Sequence, residues 1–168
     1  MAWRLAKSLD VLFKQVNALY PKRSKASDGT IGDASHSSRT SDHNPNPGGV
    51  VDACDITHDP KSGCDSYALA EALLASRDAR IKYVISNGRI ASGAKGPSPW
   101  KWRKYTGANK HDHHVHISVL EARQDETQKW DLGAMTVSVG SPSQAAAVET
   151  YVPPPPLLKK GSKGENVK

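Results

Sequence analysis

The chain is poor in several things a sequence can carry, and each shortage removes a class of function. Its 168 residues contain two cysteines, Cys54 and Cys64, so no disulfide framework supports the fold, and two thiols ten residues apart do not form a metal-binding set. Aromatic residues make up 6% of the chain with a single Phe, too few for a stacking platform on single-stranded nucleic acid. No uninterrupted apolar segment reaches the length of a membrane span or signal peptide, the opening "MAWRLAKSLDVLFKQVNALYP" included. The charge excess is also small. Lys plus Arg exceed Asp plus Glu by 23 to 17, and the last twenty residues supply four of those lysines against Glu149 and Glu165, leaving 19 against 15 for the rest. Such a weakly basic surface does not argue for nucleic acid, although it suits a polyanionic partner such as a phosphate-rich cell envelope.

Histidine, by contrast, is concentrated. Four of the seven histidines fall in "HDHHVH", His111 to His116, which runs on into the alternating "VHISV". Alternation puts His114, His116 and Ser118 on one face of a strand and Val115, Ile117 and Val119 on the other, with same-face neighbours about 7 Å apart. Two imidazoles can therefore share one site, and neutral imidazole is the commonest protein ligand for transition metals. A third, oxygen ligand would leave a fourth position open, the arrangement of catalytic zinc. Asp52 and Asp55 both lie on the strand expected at Gly49–Ile56 and, three residues apart, point to opposite faces; His43 in "SDHNP" offers another imidazole.

The remaining pattern predicts a small α+β domain over residues 1–133, an antiparallel sheet flanked by helices. Leu5, Leu9, Leu12, Val16 and Leu19 form the apolar stripe of a helix over 3–19 that Pro21 ends. Residues 22–49 lack periodicity, and so long an irregular stretch in a compact domain is usually mobile or functional. Asp65 or Ser66 caps a second helix through Ser76. "IKYVISNGRIAS" reads as a hairpin turning at Asn87-Gly88. Trp100, Trp102 and Tyr105 follow in a loop and either line a substrate groove or anchor that loop to the core. Cys54 is expected in the core, and His36, His58 and His113 are expected away from the metal. Residues 134–156, low in charge and ending in four prolines, read as a linker. "LLKKGSKGENVK", in the final segment 157–168, resembles the opening of the peptidoglycan-binding repeat of cell-wall hydrolases, here as a truncated start.

"SDHNPNPGGVVDACDI" followed by "HDHHVHIS" resembles the paired motifs of the zinc peptidases that cut bacterial cell-wall peptides. That superfamily comprises the D-Ala-D-Ala carboxypeptidases, the L-Ala-D-Glu peptidases and the murein endopeptidases, with a hedgehog-like fold. The resemblance covers roughly Asp33 to Val119. It implies Zn²⁺ held by His43, Asp55 and His116, with His114 as general base toward the attacking water and His111 beside it, positioning water or the developing oxyanion. Arg39 corresponds in place to an arginine that faces the substrate carbonyl. The interval from His43 to Asp55, twelve residues, exceeds the family's usual one, and "NPNPGG" accommodates the difference as an inserted loop. The carboxypeptidase branch has an acidic residue three before the last ligand, where this chain has His113.

What the resemblance implies is a peptidoglycan endopeptidase of the bacteriophage endolysin type. It would act as a monomer on peptidoglycan, without nucleic acid or membrane as partner, and would wait in the host cytoplasm until lysis. Two other readings use the same residue types. One is a metal-dependent HNH-like nuclease, in which "DHNP" would carry the base; the other is a non-catalytic zinc-containing wall-binding domain. A two-histidine phosphoesterase would need a second copy of "HISV", and "HSSR" lacks its apolar positions.

Overall fold

The computed structural model describes residues 2–33 and 38–136, an α+β domain whose core lies between two helices and one face of an antiparallel sheet. In chain order the elements are β1 (Arg4–Leu5), α1 (Lys7–Leu19), β2 (Val50–Val51), β3 (Ala53–Thr57), α2 (Ser66–Ser76), β4 (Ile81–Ser86), β5 (Arg89–Ser92), β6 (Arg103–Lys104) and β7 (His114–Val119). Single 3-10 turns occupy Pro60–Ser62, Glu121–Arg123 and Gly133–Thr136. No described helix is long and apolar enough to cross a membrane.

The five-stranded sheet runs β3-β7-β4-β5-β6 with every neighbour antiparallel, and β1 pairs with β2 in a separate parallel ribbon. Helix α1 begins at Lys7 rather than residue 3, because Arg4 and Leu5 extend along Val50 and Val51 and the Ala6 amide donates to the Val51 carbonyl. Its stripe is buried as the spacing predicts: Leu9, Leu12 and Val16 are fully inaccessible, each worth about 1.5–3 kcal/mol of apolar burial. The strand expected at Gly49–Ile56 divides at Asp52, β2 joining β1 and β3 joining β7. Asp65 caps α2 by accepting from the Tyr67 and Ala68 amides. Asn87 (φ 48°) and Gly88 (φ 74°) both occupy the left-handed region, as the tight turn of the β4–β5 hairpin demands.

Val115, Ile117 and Val119 of β7 join Leu69 and Leu73 of α2 and Leu9 and Leu12 of α1 in the core. Parity then sends His114, His116 and Ser118 to the sheet face turned away from the helices. Cys54 and Cys64 are both free thiols and fully buried. Arg80, with no exposed surface, is tied by two bonds to Asp78, donates to the Glu126 and Gln128 carbonyls and lies 3.8 Å from the Trp130 ring. It thereby clamps the chain after β7 onto the core. The expected linker and wall-binding start lie, from residue 137 onward, outside the described residues.

Candidate metal centre

Register supplies the first two groups of the site. In the β3–β7 ladder Asp55 stands directly opposite His116, and side chains of opposed residues on one face meet. Asp55 Oδ1 lies 3.0 Å from His116 Nδ1. The third group arrives from the irregular loop: His43 Nε2 is 3.1 Å from His116 Nδ1 and 3.4 Å from Asp55 Oδ2. Among the described residues this is the one group of three or more such side chains whose donor atoms converge, all within 4.8 Å of one another.

The loop is held in place by bonds that periodicity does not reveal. Asp28 accepts from both Nη atoms of the buried Arg23 and from the amide and hydroxyl of Thr57, fixing residues 23–28 along β3. Gly29 exchanges two backbone hydrogen bonds with Asp55. A Cβ at Gly29 would sit 2.9 Å from Asp55 Oδ2, so only glycine lets the loop approach without displacing that carboxylate. His43 Nδ1 donates to the Thr30 carbonyl, which leaves Nε2 with its lone pair toward Asp55 and His116. His116 Nε2 bonds Ser118 Oγ at 3.0 Å, leaving Nδ1 to face the other two groups. Tyr83 stacks on the His116 ring at 5.5 Å.

The donor set fits a metal ion. Two imidazole nitrogens and a carboxylate, each turned inward by an outer hydrogen bond or by register, lie 3.0–3.4 Å apart. A four-coordinate ion bound at about 2.0–2.1 Å separates its ligands by about 3.3 Å, close to these spacings, in which Asp55 turns Oδ1 toward His116 and Oδ2 toward His43. Burial pushes the Asp55 carboxyl up, but the contacts from His116 and His43 more than reverse this and hold it well below the usual carboxylate range. It therefore stays anionic. Beside His43 and Asp55 a cavity of about 140 Å³, lined also by Gly29, Ile31, Gly32 and Asp33, gives access to the group. His43, Asp55 and His116 could thus hold a metal ion.

Two further histidines stand alongside. His114 Nε2 is buried without a hydrogen-bond partner, 3.7 Å from Asp55 Oδ1. His111 is 8% exposed, its ring 4.9 Å from that of His114 and 5.5 Å from that of His116. Burial, reinforced by the neighbouring His116 and His114, pushes His111 down to about 4, and burial likewise lowers His114. Both rings are accordingly neutral near pH 7. His111 also adopts a left-handed backbone (φ 53°), uncommon for a residue with a Cβ and characteristic of sites where strain is held by surrounding structure.

The other candidates fall further out. Arg39 lies on an exposed part of the same loop, where its carbonyl accepts from Asn44 Nδ2. His113 is exposed and faces Asp112 at 3.6 Å. His58 bonds Ser66 and stacks on Tyr67 at 4.0 Å, a helix-start contact rather than a ligand position. His36 lies outside the described residues. Trp100 and Trp102 pack partly against the core, whereas Tyr105 reaches the site edge-on to His111 at 5.5 Å. Ser118, Thr30 and Gly29 are the contributors the sequence reading passed over as functional; only Ser118 carried a signal, its place in the alternation with His116. Comparison of the chain with protein-family models, curated proteins and solved structures gives no match.

Proposed function

We propose that this domain is a zinc-dependent hydrolase of amide bonds in the peptide part of bacterial peptidoglycan, an endolysin-type endopeptidase of the hedgehog-like superfamily its motifs resemble. The observation that carries the reading is the convergence of His43, Asp55 and His116 with two neutral histidines, His114 and His111, at their side. A mixed imidazole and carboxylate set favours zinc over magnesium or calcium. Zinc bound there would supply Lewis acidity, polarising a scissile carbonyl and making water acidic enough to attack near neutral pH.

The chain's own residues supply the rest. Asp55 and the two ligand histidines fix the ion's place, each oriented by a second group: Thr30 behind His43, Ser118 behind His116 and the β3–β7 register behind Asp55. His114 Nε2, buried and unpartnered beside Asp55, is the atom available to take a proton from water and return it to the leaving amine. His111, neutral and donating its Nδ1–H to the Asn109 carbonyl, keeps a lone pair on Nε2 beside the His114 and His116 rings and would accept from water there, positioning it. Arg39, exposed on the same loop, would be the residue to meet a substrate group, as the family resemblance implies. A purely structural zinc would close its fourth position with a protein ligand, and the cavity beside His43 and Asp55 supports the open alternative.

The test is mass spectrometry of purified peptidoglycan digested with the protein, with and without a chelator. New amino termini that disappear on chelation are expected. New reducing sugar ends in their place, or nicked plasmid under the same conditions, would replace the peptidase reading with a glycosidase or a nuclease.

A further inference from the structure

We propose that Arg103 binds a carboxylate of a peptide lying across the metal-bearing face of the sheet. Strand pairing places it there. Asp55 stands opposite His116, His116 opposite Ile85, Ile85 opposite Ile90 and Ile90 opposite Arg103, one lateral row that crosses all five strands. Directly opposed residues share a face, so the row that begins with two residues of the metal centre ends in a guanidinium on the edge strand β6. The side chain agrees with this parity: Arg103 Nη2 donates to Ser92 Oγ at 2.9 Å, and Ser92 pairs with Tyr83, whose ring stacks on His116. Tyr105, two residues on, meets His111 edge-on at 5.5 Å, so the segment carrying Arg103 also borders the metal centre.

Arg103 lacks the counter-ion that the comparable arginines have. Four of the chain's eight arginines are buried or partly buried: Arg23, Arg80, Arg89 and Arg103. The first three each meet a carboxylate, those of Asp28, Asp78 and Glu71, at 2.6–3.2 Å. Among the described residues Arg103 meets none, and the Ser92 hydroxyl is its one side-chain partner. Its Nε is enclosed and unbonded, so the group has given up hydration that nothing in the chain replaces. Nη1, equally unbonded, is not enclosed, and it keeps two N–H donors for a ligand.

The chemistry of the group selects the ligand. A guanidinium favours planar oxyanions, and a peptide supplies one at its carboxyl terminus or on an acidic side chain. Position sets where along the peptide it falls. Three strand spacings of about 4.8 Å separate Arg103 from His116, about 14 Å across the sheet, which about four residues of extended peptide span. Ile90, partly exposed, lies next to Arg103 in the same row and gives that path an apolar floor. The inference rests on the peptidase reading for the identity of the peptide, the one being cut; binding itself requires neither metal nor cleavage.

The experiment is a ¹⁵N-resolved NMR titration of the full chain, with a chelator present to prevent cleavage. Three probes are compared: N-acetyl-tetraalanine as the free acid, the same peptide as its uncharged carboxamide, and that carboxamide with glutamate in the last place. Saturable shifts at the Arg103 Nε–H and at the Ile90 and Ser92 amides are expected with a carboxylate-bearing probe and not with the neutral one; which of the two charged probes binds tells a terminal from a side-chain carboxylate. Arg103→Gln should weaken binding by roughly tenfold or more, the loss expected when a charge-assisted bond is removed. Arg103→Lys, which keeps the charge but not the fork, should fall between. Equal response to charged and neutral probes, or no shifts at these positions at the highest soluble concentration, would overturn the proposal. So would an Arg103→Gln variant that melts earlier yet binds the charged probe unchanged, the mark of a merely structural arginine. Because no outcome depends on bond cleavage, failure here is distinguishable from failure of the peptidase reading.

Discussion

Replacing Ser118 by alanine removes one hydroxyl from the fully buried middle of the sheet, and the structure says which state should suffer. With a metal on Nδ1, the His116 proton must sit on Nε2, where Ser118 Oγ accepts it at 3.0 Å; in the variant that buried N–H has no partner. An unsatisfied buried donor costs about 1–3 kcal/mol. Without metal the ring can change tautomer, placing its proton on Nδ1 to donate to Asp55 at 3.0 Å and leaving Nε2 bare. The penalty therefore falls mainly on the metal-bound state. Metal affinity, measured by competition with a chromophoric chelator, should fall by about ten- to hundredfold, the usual effect of losing an outer partner of a ligand histidine. The melting temperature of the metal-free protein should change much less, and Ser118→Thr, which keeps the hydroxyl on a residue suited to strands, should restore affinity. Affinity within twofold of wild type, or equal destabilisation with and without metal, would refute this tautomer coupling.

The rest of the domain offers three further expectations. Asp52 has its folded-state pKa raised from 3.8 to about 6, so its contribution is most favourable below pH 4 and is lost as pH rises through about 6. Thermal melts should accordingly show Asp52→Asn more stable than wild type at pH 7, by at most about 3 kcal/mol, with the gap closing toward pH 4. Asp28 shows the opposite sign: burial raises it, but Arg23 and Thr57 more than compensate, so its stabilisation is present above the unfolded value and lost as pH falls through the folded one. Asp28→Asn strands the wholly buried Arg23 and should cost about 3 kcal/mol or more in denaturant unfolding at pH 7. Arg80→Lys cannot reproduce the forked bonds to Asp78 and the two carbonyls, and hydrogen exchange should become measurably faster over residues 126–132.

Elements governed by local rules were legible in the sequence. The hairpin at Asn87-Gly88, the Asp65 cap and the alternation of β7 each follow from a few adjacent residues. The first turn expected of α1 failed because a non-local contact, the pairing of Arg4 and Leu5 with Val50 and Val51, overrides a helical stripe that Leu5 otherwise continues. For the same reason the Gly49–Ile56 run could not disclose that it serves two sheets. At the site, parity placed His114 and His116 together, but the register that sets Asp55 against His116 depends on how two distant strands align. The loop from Lys22 to Gly49 has no period to read. Its course is set by Arg23–Asp28, Gly29 against Asp55 and Thr30 against His43, contacts between short polar groups that leave no pattern in the chain. Arg80 was invisible for a related reason: a charged residue gives no hint that it will be wholly enclosed.

The most direct measurement is a crystal of the zinc-loaded protein with anomalous data collected on both sides of the zinc absorption edge. A single strong peak is expected, bonded to His43 Nε2, His116 Nδ1 and an Asp55 oxygen, with the remaining coordination position filled by no protein atom. A peak elsewhere, a fourth ligand contributed by the chain, or no peak within reach of His43 and His116 would contradict the account.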